Sequence, residues 1–236
     1  MRAQIRGLDQ ASRNTQDGQA LIQTAEGGMN EITNMLQRVR ELMVQASNDT
    51  NADTNREAIQ MEVDALRDGI SALAGRVQFN GMHLLSNNGT LDGTVSGGTT
   101  GEFHFQIGAN SDQMMTVDLN AAADAIMDAW TFVNGVDIEN GAANAISGQI
   151  DGIDDVLNDI NLQRGQLGAW QNRMDYTMRS LDISSENLSD AESRVRNADM
   201  AREMMRFTMA NVLQQASVSM LAQANQLPNN LLQLLR

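Results

Sequence analysis

The chain has 236 residues, enough for one or two domains with a sizeable core. Its 30 acidic residues outnumber 16 basic ones for a formal charge of −14, and the basic residues do not cluster, which argues against nucleic-acid and anionic-membrane partners. Every basic residue is arginine and there is no cysteine, so Schiff-base and P-loop lysines, disulfides, thiolate zinc sites and thiol nucleophiles are all excluded.

Residues 1–7 lack the continuous apolar run of a secretory signal, so export requires another route. From there the dominant pattern is an alternation of three and four residues between apolar positions, which keeps them on one side of a long helix. The first such seam is Ile22, Ala25, Met29, Ile32, Leu36, Val39, Met43 and Ala46, with a weaker extension back through Thr15, Ala11 and Leu8. The polar residues 48–53 break the pattern and offer N-cap oxygens for a second helix. That helix is expected to bury Ile59, Val63, Leu66, Ile70, Leu73 and Val77, and to return antiparallel to the first.

Residues 78–142 change character. Asn80-Gly81, Asn88-Gly89, Asp92-Gly93 and Gly97-Gly98 mark turns. The alternation in residues 103–107 predicts a strand, and residues 114–119 its hairpin partner. Residues 121–142 are ambiguous: Trp130, Phe132 and Val133 are candidates to cap a small lobe, residues 134–141 read as loop, and little independent core is expected.

The longest seam follows, through Ile146, Ile150, Ile153, Leu157, Ile160, Leu167, Met174, Met178, Leu181, Leu188 and Val195, with Arg164, Gln171, Ser185 and Glu192 as polar interruptions. At about 1.5 Å per residue the first and third helices each reach roughly 70 Å, and the second is about half as long. The last stretch, from about Met200, is helical in composition until Pro228, with apolar residues on several sides and no helix left to pair with. Residues 207–235 carry no charge but include nine Asn or Gln and one Pro, too polar for a membrane span, so a protein-buried helix is expected. Leu231, Leu232, Leu234 and Leu235 add an apolar patch at the end.

Residue patterns for catalysis are weak throughout. His83 and His104 lack metal-binding spacing. Asp49-x-Asn51-x-Asp53 imitates the start of a calcium loop, but Thr54 stands where Gly is needed and Gln60 where the closing Glu is needed. The glycine-rich residues 93–101 have no following lysine, so a flexible loop is the simpler reading than a phosphate site. Asp151, Asp154, Asp155 and Asp159 interleave with seam residues and read as a solvated helix face, not an acid–base pair. No catalytic, cofactor or metal residue is assigned.

The expected fold is mainly α: an elongated rod of long antiparallel helices with heptad seams, a small β-hairpin region and a C-terminal helix. The expected division is 1–77 N-terminal rod helices, 78–142 a β-rich flank and shortened central region, 143–197 the C-terminal rod helix, and 198–236 a terminal helix.

Several strings in combination resemble bacterial flagellins: Met1-Arg-Ala-Gln-Ile-Arg-Gly-Leu8, Leu21-Ile-Gln-Thr-Ala-Glu-Gly27, Leu36-Gln-Arg-Val-Arg-Glu-Leu42, Phe79-Asn-Gly81, Phe105-Gln-Ile-Gly-Ala-Asn110, Asn187-Leu-Ser-Asp-Ala-Glu-Ser193 and Leu221-Ala-Gln-Ala-Asn-Gln226. The resemblance covers roughly residues 1–118 and 143–236 and is least in 119–142. It implies a structural subunit of the flagellar filament, secreted through the flagellar channel and polymerising with other copies beneath the filament cap. It also implies a filament-lining terminal helix, which an export chaperone would hold before assembly. Phe207, Val212, Leu213, Leu221, Leu231, Leu232, Leu234 and Leu235 are the residues expected to be covered by chaperone or neighbouring subunits. Family members normally begin several dozen residues earlier with a helix that pairs with the C-terminal one, so the chain is expected to lack that segment.

The same resemblance implies recognition by the Toll-like flagellin receptor of animal hosts. Arg38, Leu42 and Glu62 match by motif and spacing as contact candidates, Arg38 and Leu42 lying one turn apart off the main seam. For Leu42, packing against a neighbouring helix or subunit is the competing reading. Rival identities are a hook–filament junction protein and a secreted coiled-coil adaptor. A flagellin-derived protease is disfavoured because residues 86–142 are too few and lack metal ligands.

Overall fold

The computed structural model of the chain describes residues 1–86, 101–139, 143–196 and 200–234, with side chains excepted at 143–145 and 226–234. They belong to two compact units, Met1–Glu186 and Asn187–Arg236. The first holds α1 (Arg2–Ala46), α2 (Asp53–Arg76), β1 (Gln78–Phe79), β2 (Met82–His83), β3 (Glu102–Gln106), β4 (Met114–Asp118), α3 (Asn120–Asn134) and most of α4 (Ala143–Arg196). The end of α4 and α5 (Met200–Leu234) form the second.

The eight residues of the first seam, Ile22 to Ala46, are all buried, as are Ala11 and Thr15. On either side of this seam runs a further stripe that repeats every seven residues. Leu21, Gly28, Met35 and Leu42 make an apolar one: Gly28 lies under Val77 and Leu85, Met35 meets Gly69 of α2, and Leu42 is buried. The opposite stripe is polar and meets α4. Ser12 donates to Asp182, Gln19 to Asp175, and Arg40 to Asp154, while Gln171 donates to Glu26 at 2.7 Å. Partner numbers fall along α4 as they rise along α1, so the two helices are antiparallel. Seven-residue spacing keeps each stripe on its own flank, and an apolar centre between them supplies the burial that holds long helices together.

The third seam is buried at Ile146, Ile153, Leu157, Ile160, Leu167, Met174 and Leu181. Two of its polar interruptions have a positive use, because Gln171 bonds Glu26 and Ser185 donates to Asp9 at 2.7 Å. Val195, expected on the seam, is 80% exposed and lies in the second unit.

Residues 48–53 act differently from expectation. The N-cap of α2 is Ala52, without a side-chain cap, whereas Asn51 Nδ2 donates to the Gln45 carbonyl at 2.6 Å and to that of Asn48. The polar stretch therefore satisfies free carbonyls at the end of α1, and the start of α2 has only Asp53 to favour its dipole.

Asn80-Gly81 turns β1 into β2 with φ of 51° and 80°, the left-handed pair that a two-residue hairpin requires. β3 and β4 pair antiparallel, Phe103 opposite Val117 and Phe105 opposite Met115, as the alternation predicts. Their apolar face lies on α1, where Gly18 makes the close approach possible: a Cβ there would stand 2.9 Å from Met174 Cε and 3.1 Å from Phe105 Cδ1. The other marked turns, at residues 88–89, 92–93 and 97–98, lie outside the described residues.

The region after β4 is a correction to the sequence reading. Residues 120–134 form α3, which buries Ala122, Ala125, Ile126, Ala129 and Val133 against the common core. Its apolar face is built largely from alanine, whose small side chains allow close helix packing. Phe132 lies against Gly152 of α4, and Gln60 of α2 bonds both Val136 and Ile138 beyond the helix.

Candidate functional site

The arrangement offers little for catalysis. Among the described residues no group of three or more His, Asp or Glu is placed to hold a metal ion. An open groove of about 970 Å³ between α4 and the β3–β4 turn is lined by Leu8, Ile107, Met114, Tyr176 and Leu181 among others, with no carboxylate or histidine among the described residues that line it. His104 Nδ1 lies 2.9 Å from the Thr116 hydroxyl across the β3–β4 pair, a strand-pairing contact. Asp154, read from sequence as part of a solvated face, is the carboxylate bound by Arg40. That guanidinium holds its pKa below the usual carboxylate range, first through the hydrogen bond.

Two surfaces remain. On the first, α1 and α2 bring Arg38 and Glu62 together. Arg38 Nε donates to Glu62 Oε1 at 2.8 Å and its Nη1 to Glu41 Oε2 at 3.0 Å. The Glu62 bond leads the causes that raise the Arg38 pKa above its ordinary value. Both members of the interhelical pair are about half exposed, at 48% and 45% of their side chains. Leu42 is not part of this exposed patch, in line with the packing reading of this residue and not with direct contact. It is 2% exposed, because the buried face of α1 extends past its central seam to this flank. Glu41, which sequence reasoning did not single out, joins the patch; its position one turn after Arg38 is the signal that marks it.

The second surface is α5. Phe207, Val212, Leu213 and Leu221 are all exposed, and so are Met204, Met205, Met209, Val218 and Met220. At 100° per residue these positions point in every direction, so no rotation of the helix would hide them against a single neighbour. The helix runs through Pro228, where the sequence suggested an end, to Leu234. A proline removes one backbone donor, which weakens the ladder without by itself terminating it. Leu231, Leu232 and Leu234 lie on this helix with side chains outside the description, and Leu235 lies outside the described residues. No helix among the described residues is long and apolar enough to cross a membrane.

A long antiparallel helix pair with hairpins packed on it, and a further helix with large apolar side chains exposed, define a mainly α-helical structural scaffold. Residues 1–90 match the bacterial flagellin N-terminal helical region, and residues 150–235 the bacterial flagellin C-terminal helical region. The chain is 45% identical to a flagellin of Bacillus subtilis over 254 aligned positions, covering all of this chain and 83% of that one. A solved Bacillus cereus flagellin is 26% identical with a TM-score of 0.59, covering 76% of this chain and 94% of that one. A putative flagellar hook-associated protein from Vibrio parahaemolyticus has a TM-score of 0.63 over 80% of this chain and 92% of its own, but at 14% identity that likeness shows a common fold alone. The chain belongs to the bacterial flagellin family. It is thus a structural protein of the flagellar filament and not an enzyme.

Proposed function

We propose that α5 is the element through which this chain is handed from export to assembly. The observation that carries this reading is the exposure of Phe207, Val212, Leu213 and Leu221 on all sides of one helix. A soluble protein rarely leaves so many large apolar side chains uncovered, and a helix apolar all round calls for burial on several sides. Neighbouring subunits in a helical polymer supply that many-sided cover. Before assembly an export chaperone covers the same residues, with the Leu231, Leu232, Leu234 and Leu235 cluster. Passage through the flagellar channel needs no cleaved signal, and the cap and hook-junction proteins are the partners at the two ends of the growing filament. Hydrogen exchange tests this: α5 amides are expected to exchange rapidly in the free chain and to become protected in filaments. Equal protection in both states would contradict it.

The exposed Arg38–Glu62 pair is the candidate contact for the host Toll-like flagellin receptor, with Leu42 acting only from beneath by fixing the α1 face. Arginine is enriched among residues that dominate interfaces, and truncating one such residue typically costs more than about 1 kcal/mol. Arg38→Ala is therefore expected to lower receptor signalling about fivefold or more, that energy converted at about 1.4 kcal/mol per tenfold. Unchanged signalling by a folded Arg38→Ala chain would remove the receptor role from this residue.

A further inference from the structure

The methionines of the chain fall into sharply different environments. Met29, Met43, Met115 and Met174 are at most 1% exposed in the core of the first unit. Met200, Met204, Met205, Met209 and Met220 on α5 are 54–70% exposed. A thioether is oxidised according to its access to oxidant, and the sulfoxide that results is polar and stiff where the thioether was apolar and adaptable.

We propose that these five methionines make α5 an oxidant-sensitive segment, a modification site for peroxides on the free subunit when neither chaperone nor neighbouring subunits cover it. The sulfur lone pair attacks one oxygen of hydrogen peroxide; the S–O bond forms as the O–O bond breaks, and after proton transfer the second oxygen leaves as water. Sulfur loses two electrons and peroxide gains them. The consequence for assembly rests on the preceding reading that α5 is buried between subunits. Each sulfoxide places a strong hydrogen-bond acceptor where polymerisation needs an apolar surface, and an acceptor buried without a donor opposes that burial. Met61, Met82 and Met114 are also exposed, but they lie on the first unit and not on the helix whose burial is at issue. Met205, Met209 and Met220 fall within one 60° sector of the helix by their spacing, so oxidation alters the same side of it at two levels.

The test treats the free full-length chain with graded hydrogen peroxide, maps sulfoxide by peptide mass spectrometry, and measures incorporation onto preformed filament fragments. The α5 methionines are expected to oxidise about tenfold or more faster than the four core ones, as access dictates. Incorporation is expected to fall in step with α5 sulfoxide and to return after methionine sulfoxide reductase treatment. A variant with all five α5 methionines changed to leucine should incorporate before and after peroxide. Similar rates at core and α5 sites would overturn the modification site, and equal peroxide sensitivity of the leucine variant would overturn its link to assembly. An untreated chain that never enters filaments removes the filament reading and this link together, while the oxidation map still decides the site itself.

Discussion

Arg40 of α1 grips Asp154 of α4 through two parallel hydrogen bonds, Nε to Oδ1 and Nη2 to Oδ2, the second at 3.0 Å. A fork-on-fork pair fixes the rotation and axial position of both helices as well as joining them. The two residues lie far apart in sequence, and their pairing continues the register set by Ser12 with Asp182 and Gln19 with Asp175.

The pair has a pH signature. Arg40 lowers the Asp154 pKa in the folded chain, so the carboxylate contributes stability above its ordinary value of about 3.9 and loses it as pH falls through the lower folded value. Thermal unfolding of the chain and of Asp154→Asn should differ most at neutral pH, with the variant less stable. The gap should close as acid protonates Asp154. A gap that stays constant into strong acid would show that the ion pair is not its source.

Adjacent glycines on α1 should respond in opposite directions to alanine. At Gly28 a Cβ would stand 2.6 Å from Val77 Cγ2 and 2.8 Å from Leu85 Cδ1, whereas at Gly27 nothing lies within 4 Å. Gly27→Ala should stabilise the chain by up to about 1 kcal/mol through helix propensity. Gly28→Ala should destabilise it, because overpacking of about 1–3 kcal/mol outweighs that gain. Denaturant midpoints of the two variants decide this.

Leu36 has no exposed surface, and Leu162 is 70% exposed. Leu36→Ala should cost about 2–5 kcal/mol, the range for emptying a packed leucine site. Leu162→Ala should stay within about 0.5 kcal/mol. Similar losses at both positions would contradict the placement of the core on the seam side of these helices.

On α5, Val212→Asp and Leu213→Asp should leave the stability of the folded chain within about 0.5 kcal/mol, since both side chains are exposed. Filament formation in cells should nevertheless be lost, because a carboxylate would have to be buried. Melting curves and electron microscopy of sheared appendages separate the two effects. Normal filaments from either variant would count against burial of this face.

The long helices were legible because heptad spacing makes burial one-sided over many turns; most seam residues from Ile22 to Met174 are buried, and Leu66, Leu73, Val77 and Ile150 pack half-buried against the same core. The β3–β4 hairpin was legible for the corresponding reason at period two. For Leu42 the two readings drawn from the sequence, contact with a partner and packing against a neighbouring helix, part in favour of packing, because the buried face of α1 widens beyond its main seam to take in Leu21, Gly28 and Leu42. α3 was ambiguous in the sequence because its bulky residues Trp130, Phe132 and Val133 and the loop-like residues after it dominate the pattern, although Ala122, Ala125, Ile126, Ala129 and Val133 follow helical spacing. Asp154 looked like one of several solvated carboxylates, since no local pattern announces a partner more than a hundred residues away. The need of α5 for cover was readable from its all-round apolar pattern, which made a protein-buried helix the expectation; in the single chain those residues are exposed.

The most direct test of the filament role is to shear flagella from the source bacterium, purify the filaments and identify their principal subunit by intact mass and complete peptide mapping. Peptides of this chain from α1, α4 and α5 should be present in that subunit in equal molar amounts. Filaments whose principal subunit contains none of them, in cells that express the chain, would contradict its role as their building block.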